Sequence, residues 1–405
     1  MMYDVVVAGA GAAGLTAAIF AAEKGATVCI LERTDKPGKK ILMSGGTRCN
    51  VLPVRMNLDD YYTDSSTNLL KRIFRSWSVD ACKSWFEADL KLHLACEIES
   101  NKWFPVSNSA KDVRDALLNK ALSLGVIIRY NQSISGLQQS ESEDSGWEIA
   151  VDGAREPIKA QNVIIATGGL SVPTTGTDGG GHKLLKSLGV ALKPTYPALT
   201  PLTGSHPGAE NLAGISLTVS LSQDKQTAKR EGFLFTHKGF SGPSVLDISH
   251  LATRFVTGLG PKPEYRVNWT GEAEDVWKKR LSDGKGTVKS VLKEHLPNRL
   301  ADALLVNKPY SDHKIAELSK SNRLELLKLV SEYTLDWSSH EGYKKAEVTG
   351  GGVPLEAINT ATMELKDMPG LFVCGEIVEV FGRIGGFNFY WAWVSGRLAG
   401  KSVKT

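Results

Sequence analysis

The sequence lacks several features that mark other classes of protein. Its 405 residues include only five cysteines, without a Cys-x-x-Cys pair. Scattered, odd-numbered cysteines are typical of a reducing compartment and argue against a dithiol redox pair. No apolar run reaches about 18 residues, so we expect no membrane span and no membrane partner. A net charge of only +4 gives no argument for a nucleic-acid partner, and we expect none.

The first residues also lack the marks of a targeting segment. Met1-Met2-Tyr3-Asp4 leads directly into an apolar run, without a basic region or a small-residue cleavage site. No Arg- and Ser-rich transit segment is present. We therefore expect a cytoplasmic protein, or a plastid protein whose transit segment has been removed.

The clearest motif is a glycine fingerprint near the start. Residues 4–9 read DVVVAG, which predicts a strand buried on both faces. The run GAGAAG at 9–14 then leads into a helix and a second strand ending at Glu32. In such a unit the first glycine permits a tight turn, the second lets a pyrophosphate approach, and the third allows close packing. Glu32 can accept hydrogen bonds from ribose, so we predict dinucleotide binding; a glycine-rich turn in an unrelated α/β protein is the alternative.

Later stretches favour FAD over a nicotinamide cofactor. Residues 35–50 form a polar, glycine-rich loop where a nicotinamide domain usually continues into another strand and helix. Two further strands end in ATGG at 166–169 and in Glu376. The helix that begins near Asn388 can stabilise negative charge on a reduced flavin. The alternatives are a solvated basic loop for the first stretch and a capping role for Glu376.

Together the motifs resemble the aminoacetone oxidase family of NAD(P)/FAD-dependent oxidoreductases, which includes a bile-acid dehydro-reductase branch. The resemblance runs from residue 4 to about 400 and rests on the fingerprint, GKKILMSGGTRCN, FPVSNSAKDV, ATGG with GTDGGGHKLLKSLG, FTHKGFSGPSVLDIS, VTGGGV, and GLFVCGE with GGFNFYWAWVSG. It implies an α/β fold with a Rossmann-like FAD domain of the glutathione-reductase type. That domain is discontinuous, with an inserted β-rich and helical region.

The resemblance also implies which residues hold FAD, with Ile134 touching the adenine through its backbone. The predicted cofactor-binding residues are Gly9, Gly11, Ala12, Ala13, Gly14, Glu32, Arg33, Lys40, Ser44, Gly45, Gly46, Ile134, Thr167, Gly168, Glu376, Gly386, Phe387, Asn388 and Phe389. Thr47 departs from the pattern because bacterial members usually have Gly, and Phe381 departs because many members have Asp. Both lie in loops expected near the flavin, so substrate preference does not follow.

The middle of the chain predicts an insertion. Short β-like runs alternate with turns up to about residue 270, and the pattern then becomes helical. Strands followed by helices between two halves of a nucleotide fold indicate an insert. We predict an FAD-binding domain of residues 1–190 and 341–405, a β-rich domain of 191–273 and a helical subdomain of 274–340.

The chemistry follows less directly from the sequence. We expect a two-electron FAD-dependent oxidoreductase acting on a small amine or enone-like substrate, with NAD(P)H as an optional transient electron donor. The alternatives are a flavin-binding regulatory protein without turnover and a nicotinamide-only dehydrogenase. No metal site is predicted. The candidate catalytic residues are His237, Arg383, Arg48, Cys49 and Tyr390. The alternatives are a structural histidine for His237, a surface ion pair for Arg383 and a plain buried thiol for Cys49.

Overall fold

The computed structural model describes residues 2–140, 146–223, 226–227 and 231–405. The chain forms two compact units, one combining the N-terminal part up to Thr195 with Val348–Thr405, the other spanning Tyr196–Glu347. Strands and helices are mixed throughout, and this confirms the predicted α/β class. No helix of the described residues is long and apolar enough to cross a membrane.

A largely parallel sheet forms the centre of the first unit. Its parallel strands lie in the order Leu371–Val373, Ile158–Ile165, Met2–Ala8, Val28–Glu32 and Ile127–Tyr130. The predicted apolar run is the middle strand, and its valines are fully buried. Because parallel strands bring their carboxyl ends to one edge, the segments that follow them meet there.

Two helices from opposite ends of the chain pack together beside this sheet. The first helix spans Ala12–Ala22 and the last helix spans Phe387–Ser402. A Cβ on Gly396 or Gly400 would lie 2.5 or 2.2 Å from a backbone oxygen of the first helix. The two backbones can approach this closely only because neither position has a side chain, so both chain ends belong to one unit.

The remaining elements of the first unit surround this frame. Its other helices are Lys39–Met43, Thr67–Phe74, Val79–Ala88, Ala110–Ser123 and Gly180–Ser187. An antiparallel hairpin and two short strands extend the main sheet, namely Ile134–Gln139, Trp147–Val151, Ile358–Asn359 and Glu364–Leu365. Short strands elsewhere are Leu52–Pro53, Tyr61–Tyr62, Leu94–Glu97, Lys102–Pro105, Val348–Gly352 and Phe381–Gly382.

The second unit is an antiparallel sheet packed with helices around one core. Its strands, in sheet order, are Tyr333–Thr334, Arg266–Asn268, Ser216–Gln223, Glu231–Thr236, Gly239–Ser241, Leu202–Gly204 and Trp337–His340, with Gln226–Thr227 beside the third. Its helices are Pro243–Val256, Glu274–Asp283, Val288–His295, Asn298–Leu304 and Lys320–Ser331. Aromatic residues of the strands and apolar residues of the helices share this core, so the predicted boundary at 273/274 does not separate two cores.

Candidate cofactor site

The glycine fingerprint forms a tight turn between the first strand and the first helix. Gly9 has a φ of +100°, and a Cβ there would lie 2.7 Å from the carbonyl oxygen of Ala166. A Cβ on Gly14 would lie 1.9 Å from the oxygen of Gly9. By contrast, apart from its two chain neighbours, no described residue has an atom within 4 Å of a Cβ built on Gly11. Two glycines are therefore needed for packing, whereas Gly11 leaves space in front of the helix N-terminus.

Glu32 lies at the end of the neighbouring strand with its carboxylate held in place. The backbone N–H of Ala10 donates to Glu32 Oε2 at 2.8 Å, and Thr34 donates to Oε1 from its N–H at 2.8 Å and its hydroxyl at 2.7 Å. A carboxylate has about four acceptor sites and three are occupied here, so Oε2 can accept one further hydrogen bond, from a ribose hydroxyl. Open space at Gly11, the free N–H groups of a helix N-terminus and this oriented acid fit the adenosine diphosphate half of FAD.

The predicted loop around Ser44 makes an unusual left-handed turn. Gly45, Gly46 and Thr47 have φ values of 55°, 65° and 70°. A Cβ on Gly45 would lie 2.1 Å from Asn50 Oδ1, whereas the same construction at Gly46 meets no described atom within 4 Å. Gly adopts this left-handed region without strain. Thr47 adopts it at a steric cost, since β-branched residues disfavour positive φ.

Lys40 and Glu376, both predicted to contact FAD, bind each other. Lys40 Nζ lies 2.7 Å from Glu376 Oε2 and 2.7 Å from Ser171 Oγ. Glu376 Oε1 accepts from the Ser171 hydroxyl at 2.6 Å and from the Thr349 N–H at 3.0 Å. Burial raises the pKa of Glu376, but the Lys40 charge and these hydrogen bonds outweigh it and hold the pKa below its ordinary value. Glu376 is thus an ionised acceptor at this sheet edge.

Sequence reasoning missed two members of this network, Ser171 and Thr349. Besides its N–H contact, Thr349 accepts at its hydroxyl from the N–H groups of Leu170 at 2.8 Å and Ser171 at 3.1 Å. A Cβ on Gly169 would lie 2.4 Å from the same hydroxyl oxygen. The available signals were the small-residue run after Thr167 and the Thr within the Gly-rich strand Val348–Gly352. Neither pattern shows that the two segments meet.

Other predicted cofactor residues lie along the same edge. Arg33 forms an ion pair with Asp178, and both side chains are about half exposed. The hydroxyl of Thr167 is buried without a hydrogen-bond partner among the described residues. Gly168 has a φ of +72°. Ile134 begins the strand of the hairpin, opposite Val151. Their roles toward FAD stay predictions.

The start of the last helix is fixed by its own side chains. Asn388 Oδ1 accepts from the Gly382 N–H at 2.8 Å, and Asn388 Nδ2 donates to the Gly382 carbonyl at 2.9 Å. Gly386 precedes the helix at a φ of +92°. Phe387 accepts a hydrogen bond at its carbonyl, and the Phe389 ring stacks on Trp393 at 5.5 Å. Asn388 therefore closes the turn that presents this helix N-terminus.

Two candidate catalytic residues are core groups in the structure. The thiol of Cys49 is fully buried, and burial raises its pKa to about 12. At neutral pH such a thiol is not the thiolate that nucleophilic chemistry requires. Tyr390 is also fully buried, donates to the carbonyl oxygen of Trp77 and stacks on Phe74. This geometry corrects both interpretations, since neither group is presented to a substrate.

The other three candidates lie in different settings. Arg48 donates to Asn108 Oδ1 and Glu97 Oε1, both at 2.9 Å, and its guanidinium lies 4.0 Å from the Phe104 ring centre. These contacts engage the Arg48 guanidinium with side chains of the protein itself. His237 is exposed at a hairpin turn of the second unit. Arg383 is mostly buried beside Asp60. It directly follows the strand Phe381–Gly382, which lies next to Asn388, so Arg383 stays the best-placed candidate.

No group of three or more metal-ligating side chains occurs in the described part of the chain.

Comparison with known proteins adds the family. The sequence matches the HI0933-like protein Rossmann domain over residues 3–402. It is 30% identical to the ribosomal RNA dihydrouridine synthase of Escherichia coli (strain K12), over 97% of this chain and 96% of that protein. It is 29% identical to the 3-dehydro-bile acid delta(4,6)-reductase of Clostridium scindens, over 99% of each chain.

Solved structures agree on the fold. A 3-ketosteroid delta1-dehydrogenase from Sterolibacterium denitrificans superposes with a TM-score of 0.54 at 12% identity, over 98% of both chains. A flavocytochrome c3 fumarate reductase gives 0.50 at 18% identity, over 99% of this chain and 78% of that one. The family and the relatives support the FAD oxidoreductase superfamily, but not aminoacetone oxidase specifically. The chain belongs to the HI0933-like protein Rossmann domain family and has the fold of FAD-dependent oxidoreductases.

Proposed function

We propose that the protein is an FAD-dependent reductase of a carbon–carbon double bond conjugated to a carbonyl group. The observation that carries this proposal is that two relatives of nearly equal identity to this chain are named for different substrates. Both substrates contain the same kind of hydride acceptor, a double bond conjugated to a carbonyl group. Uracil has a C5=C6 bond conjugated to a carbonyl, and a delta(4,6) 3-oxo steroid has a conjugated dienone. The reaction class is therefore a more conservative inference than either substrate, and it favours the enone-like expectation over the amine.

The residues of the first unit suit such chemistry. Bound FAD in its reduced form would supply a hydride to one carbon of the double bond, and a proton from water would complete the reduction at the other. Gly11 and Glu32 would hold its adenosine diphosphate half, and the last helix would present its N-terminus to the other end. Arg383 would polarise the substrate carbonyl, because Asp60 and the Asn388 turn hold this segment beside that helix start. A fixed cation next to a developing enolate is a common way to lower such a barrier.

As substrate we favour a uracil base in ribosomal RNA. A local basic surface supports this choice even though the net charge is small. The helix Thr67–Phe74 buries Leu70, Ile73 and Phe74 and exposes Lys71 and Arg72, with exposed Arg75 directly after it. Exposed cations on one short segment can bind a phosphate backbone without any excess of charge over the whole chain. A steroid-like enone is the second candidate, because of the bile-acid relative.

The test is direct. Protein loaded with FAD is reduced anaerobically and mixed separately with ribosomal RNA lacking dihydrouridine and with a delta(4,6) 3-oxo steroid. In a parallel sample, the oxidised holoprotein is mixed anaerobically with a primary amine. We expect reoxidation of the flavin by the RNA and the gain of two hydrogens in one uridine, detected by mass spectrometry of nucleosides. Reoxidation by the steroid alone would move the substrate to the second candidate. Flavin reduction by an amine, or no reaction with any compound, would refute the proposal.

The source of electrons is tested in the same preparation. NAD(P)H is proposed as a transient donor, because the sequence shows no second dinucleotide fingerprint with a terminal acid. Mixing oxidised holoprotein with NADH or NADPH under anaerobic conditions should bleach the flavin absorption. If neither bleaches it, another reductant must serve, and the reductase proposal itself is unaffected.

A further inference from the structure

A buried carboxyl group lies next to the turn that carries Arg383. Glu379 is only 2% exposed. Its Oε2 lies 2.6 Å from the Thr63 hydroxyl and 3.0 Å from the Ser65 hydroxyl, and its Oε1 accepts from the Asp64 N–H at 2.6 Å. No Lys or Arg of the described residues forms an ion pair with it. An ionised carboxylate buried without a cation is costly, so its protonation state needs an explanation.

Ser65 links this group to a second carboxyl group. Ser65 Oγ lies 2.7 Å from Oε2 of the exposed Glu356 and accepts the N–H of Leu355 at 3.0 Å. Glu356 Oε1 also accepts the N–H of Ser66 at 3.0 Å. A hydroxyl has one proton and two acceptor sites. Ser65 can therefore donate to only one of the two carboxyl groups, although both lie within hydrogen-bond distance.

The hydrogen-bond count closes if one more proton is present. A protonated Glu379 would donate to Ser65 Oγ, and Ser65 would donate to Glu356. Ser65 would then have one donated and two accepted hydrogen bonds, so its capacity is filled. The proton belongs on Glu379 rather than Glu356, because Glu356 is exposed and water can stabilise its charge.

We propose that Glu379 is a neutral carboxylic acid. Its O–H group donates a hydrogen bond to Ser65, and Ser65 donates one to Glu356. This chain of hydrogen bonds holds residues 63–66 against the segment 379–383. The environment of Glu379 acts on its pKa in the same direction. Burial raises the pKa of Glu379, and its hydrogen bonds to Thr63, Asp64 and Ser65 only partly offset the effect. Other charged groups nearby are Asp64, which raises that pKa further, and Lys193, which acts on Glu356. Lys366 Nζ also donates to the carbonyl oxygen of Glu356 at 2.6 Å.

This clamp acts next to the cofactor site. Phe381 and Gly382 lie just after Glu379 in the chain, and Tyr61 and Tyr62 lie just before Thr63. Phe381 pairs with Tyr62, and Gly382 pairs with Tyr61. The N–H of Arg383 donates to the carbonyl of Asp60 at 2.9 Å. Glu379 is thus a positioning residue for Arg383 and for the turn before the last helix. The effect on flavin rests on the proposed function, whereas the protonation state does not.

Infrared spectroscopy of the apoprotein tests the proton itself. The carbonyl stretch of a buried carboxylic acid should be visible in the wild type at about pH 6, above the ordinary range for Glu, and should disappear in Glu379→Gln. The amide introduced by this substitution can donate to Ser65 but cannot ionise, so the fold should persist. Absence of the band in the wild type, or its persistence in Glu379→Gln, would overturn the proposal.

Glu356→Gln is the matched control for the one-proton argument. Ser65 then faces one carboxyl group, so Glu379 no longer needs its proton and the band should titrate at lower pH than in the wild type. An unchanged midpoint would show that Ser65 does not couple the two groups. The positioning role is tested by the release of bound FAD as the pH is raised, because ionisation of Glu379 would break these hydrogen bonds. In Glu379→Gln this release should shift to higher pH or no longer occur. A release profile identical to wild type would remove that role and leave the protonation result standing.

Discussion

Replacing Gly11 with Ala should weaken FAD binding without weakening the fold. Apart from the two chain neighbours, a Cβ at this position meets no described atom within 4 Å, and the backbone has φ −82°, which Ala adopts freely. The free energy of unfolding of the apoprotein should therefore change by less than about 0.5 kcal/mol. The methyl group would, however, occupy the space in front of the helix N-terminus that a pyrophosphate needs.

The expected loss of affinity follows from the hydrogen bonds involved. If the methyl group displaces the phosphates from one charge-assisted N–H contact, the loss is about 1.5–3 kcal/mol, roughly a 10- to 150-fold rise in Kd. Flavin fluorescence titration gives the Kd, and urea denaturation of the apoprotein gives the stability. Gly14→Ala is the contrasting variant, because its Cβ would lie 1.9 Å from the Gly9 oxygen and should destabilise the fold itself. An unchanged Kd for Gly11→Ala, or a stability loss as large as that of Gly14→Ala, would refute this reasoning.

Three other outcomes are expected. Lys40→Met leaves Glu376 without its cation and should destabilise the protein by about 2 kcal/mol at pH 7 in urea denaturation. Because the folded pKa of Glu376 is lowered, the contribution of the ion pair is present above the ordinary Glu pKa and is lost as pH falls through the folded value, so the two proteins should converge in acid. Alkylation at pH 8 should modify exposed Cys96 first and leave Cys49 unreacted until unfolding, as peptide mass spectrometry would show. Thr47→Gly should raise the urea midpoint, corresponding to a gain of up to about 1 kcal/mol, because it relieves a positive φ; a lower midpoint would contradict this.

Local chemistry made part of the protein readable from its sequence. The run DVVVAGAGAAG predicts a buried strand, a tight turn and a helix because only Gly tolerates the close contacts at positions 9 and 14. The acid at the end of the next strand follows from the regular spacing of that unit. The strand before Glu376 and the helix after Gly386 are likewise local patterns, and both are present.

Contacts between distant segments could not be predicted in this way. Lys40 and Glu376 were predicted separately as cofactor ligands, but they are 336 positions apart and bind each other. Cys49 and Tyr390 belong to promising motifs, yet burial makes the first an unreactive thiol and the second a packing residue. The environment of a side chain sets its pKa and its access, and neither is encoded by its neighbours in sequence.

Sequence alone therefore determined the fold class and the dinucleotide turn, since backbone sterics and strand periodicity act over a few residues. Tertiary structure alone decided which charges are paired, which thiol is buried and where Ser65 joins Glu379, 314 positions away. These outcomes depend on how the sheet brings separate segments to one edge, because electrostatic and desolvation energies act through space rather than along the chain.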